Sequence, residues 1–196
     1  MYRKVIKNVF DFLIGLCGFP FFLIALIIFG PIIYFTDKGP IFYNANRIGK
    51  DGKLFKMYKF RSMYVNALDI RLADGSTYNG EDDPRVTKIG KFMRATSIDE
   101  LPQLLNLLNG TMSLIGPRPN LPTAPFNELS ELEQKRLAVK PGLTGYNQAF
   151  YRNSVSAEEK YKNDVFYIEN LSFGMDVKVF FKTIVSVLKR ENINIS

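Results

Sequence analysis

Apolar side chains fill the chain from Phe12 to Phe35, a run of 24 positions without a charge. That exceeds the roughly 20 apolar residues a helix needs to cross a bilayer. Arg3, Lys4 and Lys7 precede the run and predict a cytoplasmic N-terminus. Pro20 falls mid-run and predicts a kink, and Gly15, Gly18, Gly30 and Pro31 interrupt the run further. Two arrangements stay open. A single span would send the rest of the chain out of the cytoplasm, whereas a bend at Pro20 would return it. Exposed backbone at a bend is costly in lipid and favours the span; a basic remainder favours the return.

After the turn-rich stretch Thr36 to Pro40 the period shortens. Ile41-Phe42-Tyr43 and Leu54 to Phe60 read as strands, and Gly49-Lys50-Asp51-Gly52 between them predicts a hairpin. Residues 66–84 read as a polar surface excursion to which no chemistry is assigned. Asp83-Pro84 predicts the start of a short helix with Val86, Ile89 and Met93 on its apolar side. A second helix is expected from about Asp99, with Pro102 in its first turn, through Leu108 to a stop at Asn109-Gly110. Its alternative start has Ser97 as the cap and Glu100 closing a capping box. Either start places the acidic pair at a positive helix end. Further on, Met112 to Ile115 is a short apolar run, Glu128 to Val139 predicts a charged helix, and Ala157 to Tyr167 a helix carrying Asp164. From Met175 to Arg190, Val177, Phe180, Phe181, Ile184 and Leu188 share one side, while Lys178, Lys182, Lys189 and Arg190 cover much of the rest. Such a basic amphipathic helix lies on a membrane surface or packs one face on a core. The expected class is α+β and mostly helical, with a membrane element over 1–36 and a second domain over 37–196.

The 196 residues carry a net charge of +7, which suits a negatively charged partner such as anionic lipid or a phosphorylated substrate. No recognisable nucleic-acid motif is present, so no nucleic acid is expected as partner. There is no histidine and a single cysteine, Cys17, which rules out a histidine general base, a Cys/His zinc site and an intrachain disulfide. A metal would be a hard cation on oxygen ligands, Mg²⁺ with substrate phosphates.

The candidate chemistry centres on Asp99-Glu100, preceded by Lys88, Lys91 and Arg94 and followed by Arg118. Pro117 and Pro119 bracket Arg118, and such a stiff loop holds a guanidinium as bidentate phosphate recognition requires. Lys59 and Arg61 flank Phe60 at the end of the second strand, and Arg152 lies on a later loop. Each has a plainer reading: helix caps for the acids, solvated strand-edge charges for Lys59 and Arg61, a surface turn for Arg118, water for Lys88 and Lys91.

In order along the chain, Gly39-Pro40-Ile41-Phe42, Lys59-Phe60-Arg61-Ser62-Met63, Thr87-Lys88-Ile89-Gly90, Asp99-Glu100-Leu101-Pro102-Gln103, Ser113 to Pro119, Lys140 to Gly145, and Asp164 through Asp176 resemble the bacterial sugar transferase family, the monotopic phosphoglycosyl transferases. The resemblance covers nearly the whole chain. It implies an enzyme of the bacterial inner membrane, on its cytoplasmic face, that moves a phosphosugar from a UDP-sugar to polyprenyl (undecaprenyl) phosphate and releases UMP. This is the first membrane step of glycoconjugate assembly, upstream of further glycosyltransferases. It implies a re-entrant helix-break-helix in place of a span, with interfacial helices around the active site. It further implies Asp99 as nucleophile and Mg²⁺ contact, Glu100 as its acidic partner, and Lys59, Arg94 and Arg118 as phosphate-facing cations; Arg61 and Arg152, from the reading of the residues themselves, are further candidate substrate contacts. Family members often carry Ser-Pro at the membrane break, where this chain has Phe19-Pro20, and larger members carry extra helices, so this chain reads as the minimal form. A non-enzymatic alternative is a basic monotopic protein that binds anionic lipid or scaffolds glycan assembly.

Overall fold

The computed structural model describes residues 1–70, 78, 80, 82–122, 124–151 and 154–189. One turn of π-helix, Tyr2–Ile6, leads into the long helix α1, Lys7–Asp37, which closes at Lys38 in the left-handed region with φ 54°. The backbone stays helical through Pro20 and Pro31, so the expected interruption at Pro20 is not resolved as two helices. A single stripe of α1 is covered along its length. Leucines 104, 107 and 108 press on Gly15 and Gly18, and Phe22, Ala25 and Ile33 are buried. The Phe22 ring lies 6.0 Å from that of Phe60. The other sides, including Phe12, Leu16, Phe21, Ile27 and Phe35, are exposed.

Both ends of α1 are tied down by buried polar groups. At the first turn Lys7 Nζ sits 2.7 Å from Asp176 Oδ2, to which the Tyr2 hydroxyl also donates. The Tyr167 hydroxyl donates to Asp176 Oδ1 at 2.6 Å. At the last turn Asp37 pairs with Arg61.

The expected hairpin is present. Strand β1 (Phe42–Ile48) pairs antiparallel with β2 (Leu54–Phe60), Phe42 facing Phe60, around the turn at Lys50–Gly52. Helix α2 spans Lys88–Thr96 and is capped by Thr87, whose Oγ1 accepts the Gly90 N–H at 2.9 Å. The start expected at Asp83-Pro84 is therefore displaced, because Asp83 is buried as the partner of Arg85 instead. Gly90 permits the contact on which α2 rests: a Cβ there would stand 1.9 Å from the Ser62 carbonyl oxygen.

The acidic stretch is not one helix. A 3-10 segment, Ile98–Gln103, precedes a short α3, Leu104–Leu108. Ser97 is left-handed (φ 57°) and ends α2, and its side chain makes no cap. No capping box forms, because Glu100 reaches across to Lys59.

Strands β3 (Ser113–Ile115) and β4 (Gly142–Thr144) pair in parallel, joining stretches that local pattern does not connect. A Cβ on Gly142 would meet the Gly116 backbone nitrogen at 2.1 Å, so the close approach needs glycine. Helix α4 covers Glu131–Arg136, shorter than expected, because a Ser130/Glu133 capping box sets its start and residues 126–128 form a separate 3-10 turn. After α5 (Tyr146–Phe150), α6 runs Ala157–Glu169, as expected but two residues longer, and α7 runs Phe173–Leu188. Helix α7 buries Asp176, Val179 and Ser186 and exposes Phe173, Phe180, Phe181, Ile184, Val185 and Val187. Phe173 meets Phe10 and Tyr2, so this exposed apolar face adjoins that of α1.

Candidate active site

Strand β2 delivers Lys59, α2 delivers Arg94, the 3-10 segment Asp99 and Glu100, and the loop after β3 Arg118. Asn106, fully buried on α3, stitches two of these together. Its Oδ1 accepts the Tyr58 N–H at 3.0 Å, and its Nδ2 donates to the Lys56 carbonyl at 2.8 Å. The strand bearing Lys59 is thereby fixed against the helix that follows the acidic pair.

The two acids are not equivalent. Glu100 accepts from Lys59 Nζ at 2.5 Å. Burial pushes the Glu100 carboxyl up, but the Lys59 charge, then Arg118, outweigh it and hold the carboxyl below the usual range. Asp99 is 8 % exposed and makes no ion pair among the described residues. Burial pushes it up to about 6, against the pull of Lys59, with Glu100 adding to the rise and Arg94 opposing it. The acidic pair thus opens a six-residue 3-10 turn, where desolvation is the largest influence on Asp99. Arg94 is half-buried, its Nε 2.9 Å from Ser62 Oγ, and its charge is felt at Asp99.

Beside the pair lies an open cleft of about 80 Å³, lined by Arg47, Lys59, Glu100, Gln103, Arg118 and Gln148 among others. Three cations and one paired carboxylate give that lining a positive balance suited to an anion. Asp99 lies next to this cleft rather than in its lining. The Oε1 of Gln148 is buried and has no hydrogen-bond partner among the described residues.

Lys59, Glu100 and Arg118 therefore share one cleft, with Asp99 and Arg94 adjoining it. Arg61 does not join them. Its guanidinium is committed to Asp37 at 2.6 Å and to the carbonyls of Pro40, Met63 and Ile33, where it locks the end of α1. Arg152 lies outside the described residues. Lys88 and Lys91 are exposed. Sequence reasoning missed Arg47, Gln103, Gln148 and Asn106. A polar residue inside the leucine run 104–108 was the available signal for Asn106. No group of three histidine, cysteine or acidic side chains is gathered for a metal among the described residues. Two carboxylates with substrate phosphates and water are nonetheless a donor set that Mg²⁺ accepts.

A long apolar helix thus packs along a domain whose cleft sets cations beside an acidic pair, an arrangement suited to an anion. The bacterial sugar transferase profile matches residues 2–190, and the chain belongs to that family. It is 42% identical to galactosyl transferase CpsE of Streptococcus agalactiae, over 85% of this chain and 40% of that protein. It is 36% identical to the undecaprenyl-phosphate galactose phosphotransferase of Salmonella typhimurium, over 96% of this chain and 41% of that protein. The exopolysaccharide production protein PSS of Rhizobium leguminosarum is 34% identical over 95% of this chain and 96% of its own length. The chain thus spans about two-fifths of the first two relatives and nearly all of the third.

Proposed function

We propose that this protein transfers a phosphosugar from a UDP-sugar to a polyprenyl phosphate, with Asp99 as a covalent relay. The observation that carries the reading is the contrast within the dyad: Glu100 is neutralised by Lys59, while Asp99 is buried, unpaired and unusually basic. A carboxylate with a pKa near 6 is a better nucleophile than an ordinary one and is still ionised at neutral pH.

In the first step an Asp99 carboxylate oxygen attacks the sugar-bearing phosphorus. The bond from that phosphorus to the bridging oxygen breaks, and UMP leaves with the electron pair. Lys59, Arg94 and Arg118 offset the repulsion between carboxylate and diphosphate and hold the charge that builds in the transition state. In the second step a polyprenyl phosphate oxygen attacks the same phosphorus, the Asp99 oxygen–phosphorus bond breaks, and the carboxylate returns. Mg²⁺, held by an oxygen of Asp99 or Glu100 and by substrate phosphates, would supply further charge neutralisation.

The lipid acceptor calls for a site at membrane level. The covered stripe of α1 runs from Asp11, whose Oδ1 accepts the Leu114 N–H, to Ile33. A domain packed along that whole length leaves no stretch of α1 to cross a bilayer alone. We therefore assign α1 and the exposed apolar face of α7 to one membrane leaflet, with both ends of α1 cytoplasmic.

UMP release from a panel of UDP-sugars tests the reading, using wild type and Asp99→Asn with and without undecaprenyl phosphate and chelator. Sustained release that needs the lipid, Mg²⁺ and Asp99 is expected. Full turnover by Asp99→Asn would contradict it.

A further inference from the structure

Outside the cleft's lining lies a buried ion pair. Arg136, the last residue of α4, and Asp164, mid-way along α6, are each 4 % exposed in their side chains. Arg136 Nε and Nη2 reach Asp164 Oδ2 at 3.0 and 2.7 Å, and the guanidinium lies 4.6 Å from the Tyr161 ring centroid. Burial pushes the Asp164 carboxyl up against the opposing charge of Arg136. Such a pair is weak evidence for stability, since well-packed apolar side chains serve a core as well or better. What this pair does that apolar residues cannot is donate outward. Arg136 Nη2 also donates to the backbone carbonyl of Arg118 at 3.0 Å.

That carbonyl belongs to the residue whose guanidinium lines the cleft and whose charge lowers Glu100. The neighbouring carbonyls are held as well: Pro117 O accepts from Gly142 N at 2.9 Å and Asn120 O from Ile48 N at 3.1 Å. Prolines on both sides of Arg118 fix two φ angles and supply no N–H. Among the described residues, the donor to the Arg118 carbonyl is Arg136 Nη2. We infer that the Arg136–Asp164 pair is a positioning device for Arg118, setting from behind where its guanidinium stands in the cleft. This inference rests on the transferase reading, with Arg118 as a phosphate-facing cation. Asp164 orients Arg136, and Arg136 orients the loop; neither touches substrate.

The test separates positioning from folding. Removing one partner strands a buried charge and can unfold the chain. The paired substitution Arg136→Met with Asp164→Leu removes both charges together and leaves only the Arg118 carbonyl without its donor. The expected result is a folded protein with near-wild-type Tm whose kcat/KM for the UDP-sugar falls about 10- to 100-fold. Its affinity for UMP, read by ligand-induced Tm shift, falls with it. In an Arg118→Ala background the same pair of changes costs nothing further, because the group being positioned is gone. If the paired variant misfolds, Arg136→Lys is read in its place, since ammonium keeps the charge but loses the fork. Wild-type kcat/KM and UMP affinity in a folded variant would overturn the inference, as would a loss fully additive with Arg118→Ala. Should the wild type turn over no UDP-sugar at all, the transferase reading fails. The Arg118-dependent UMP shift then decides the positioning role separately.

Discussion

Asp99 and Glu100 share a backbone turn and differ in their partners, and that difference sets their chemistry. Because burial raises the Asp99 pKa to about 6, the folded protein binds that proton more tightly than the unfolded chain. Its favourable contribution to stability is therefore full at low pH and lost as pH rises through about 6. Asp99→Asn removes a buried charge, so it should stabilise the fold by up to about 3 kcal/mol at pH 8, from the size of the shift, and by less at pH 5, read as a rise in Tm. The same variant should lose turnover. The wild-type rate of UMP release at low substrate should fall as pH drops through about 6, when the nucleophile becomes protonated; a flat profile from pH 5 to 8 would count against Asp99. At this scale Lys59, Glu100 and Arg118, which the fold brings to one cleft, were legible as candidates. An acidic pair set in a basic, histidine-free chain is conspicuous, and prolines around Arg118 mark a constrained loop. Arg61 was not legible, because β2 ends at Phe60 and the chain turns there, so alternation no longer places Arg61 with Lys59.

At the scale of elements, the joint between α1 and α7 is the most exacting. Asp176 accepts from Tyr2, Lys7 and Tyr167 at once, on a side chain 10 % exposed. Asp176→Ala strands the Lys7 ammonium in a buried setting, and a loss of about 3–5 kcal/mol is expected in denaturant unfolding. Tyr167→Phe should cost about 1–2 kcal/mol. The hairpin was readable because Gly49 to Gly52 carries its own turn chemistry. The parallel pairing of β3 with β4 was not, since it joins residues 113–115 to 142–144 through backbone contact between Gly116 and Gly142. No local period reports such a contact.

Over the whole molecule, an apolar helix lies lengthwise on the domain it anchors, and its outer face continues into that of α7. Membrane-impermeant maleimide distinguishes this arrangement from a span. Lys4→Cys and Lys38→Cys, in a Cys17→Ser background, should both be modified from the cytoplasmic side of sealed inside-out vesicles. Modification from opposite sides would restore the span. Native Cys17, exposed on the outer stripe of α1, should resist the reagent until the vesicles are dissolved. Hydrophobic patterning disclosed the helix but not this placement. Span and return have the same residue run, so the pattern leaves both open.

The central claim is the covalent relay, and intact-protein and peptide mass spectrometry after mixing with UDP-sugar alone tests it most directly. The account expects one equivalent of UMP without any polyprenyl phosphate, and a phosphosugar adduct on the peptide containing Asp99 that disappears on adding the lipid. Release of UMP only when both substrates are present, with no adduct on Asp99, would contradict it.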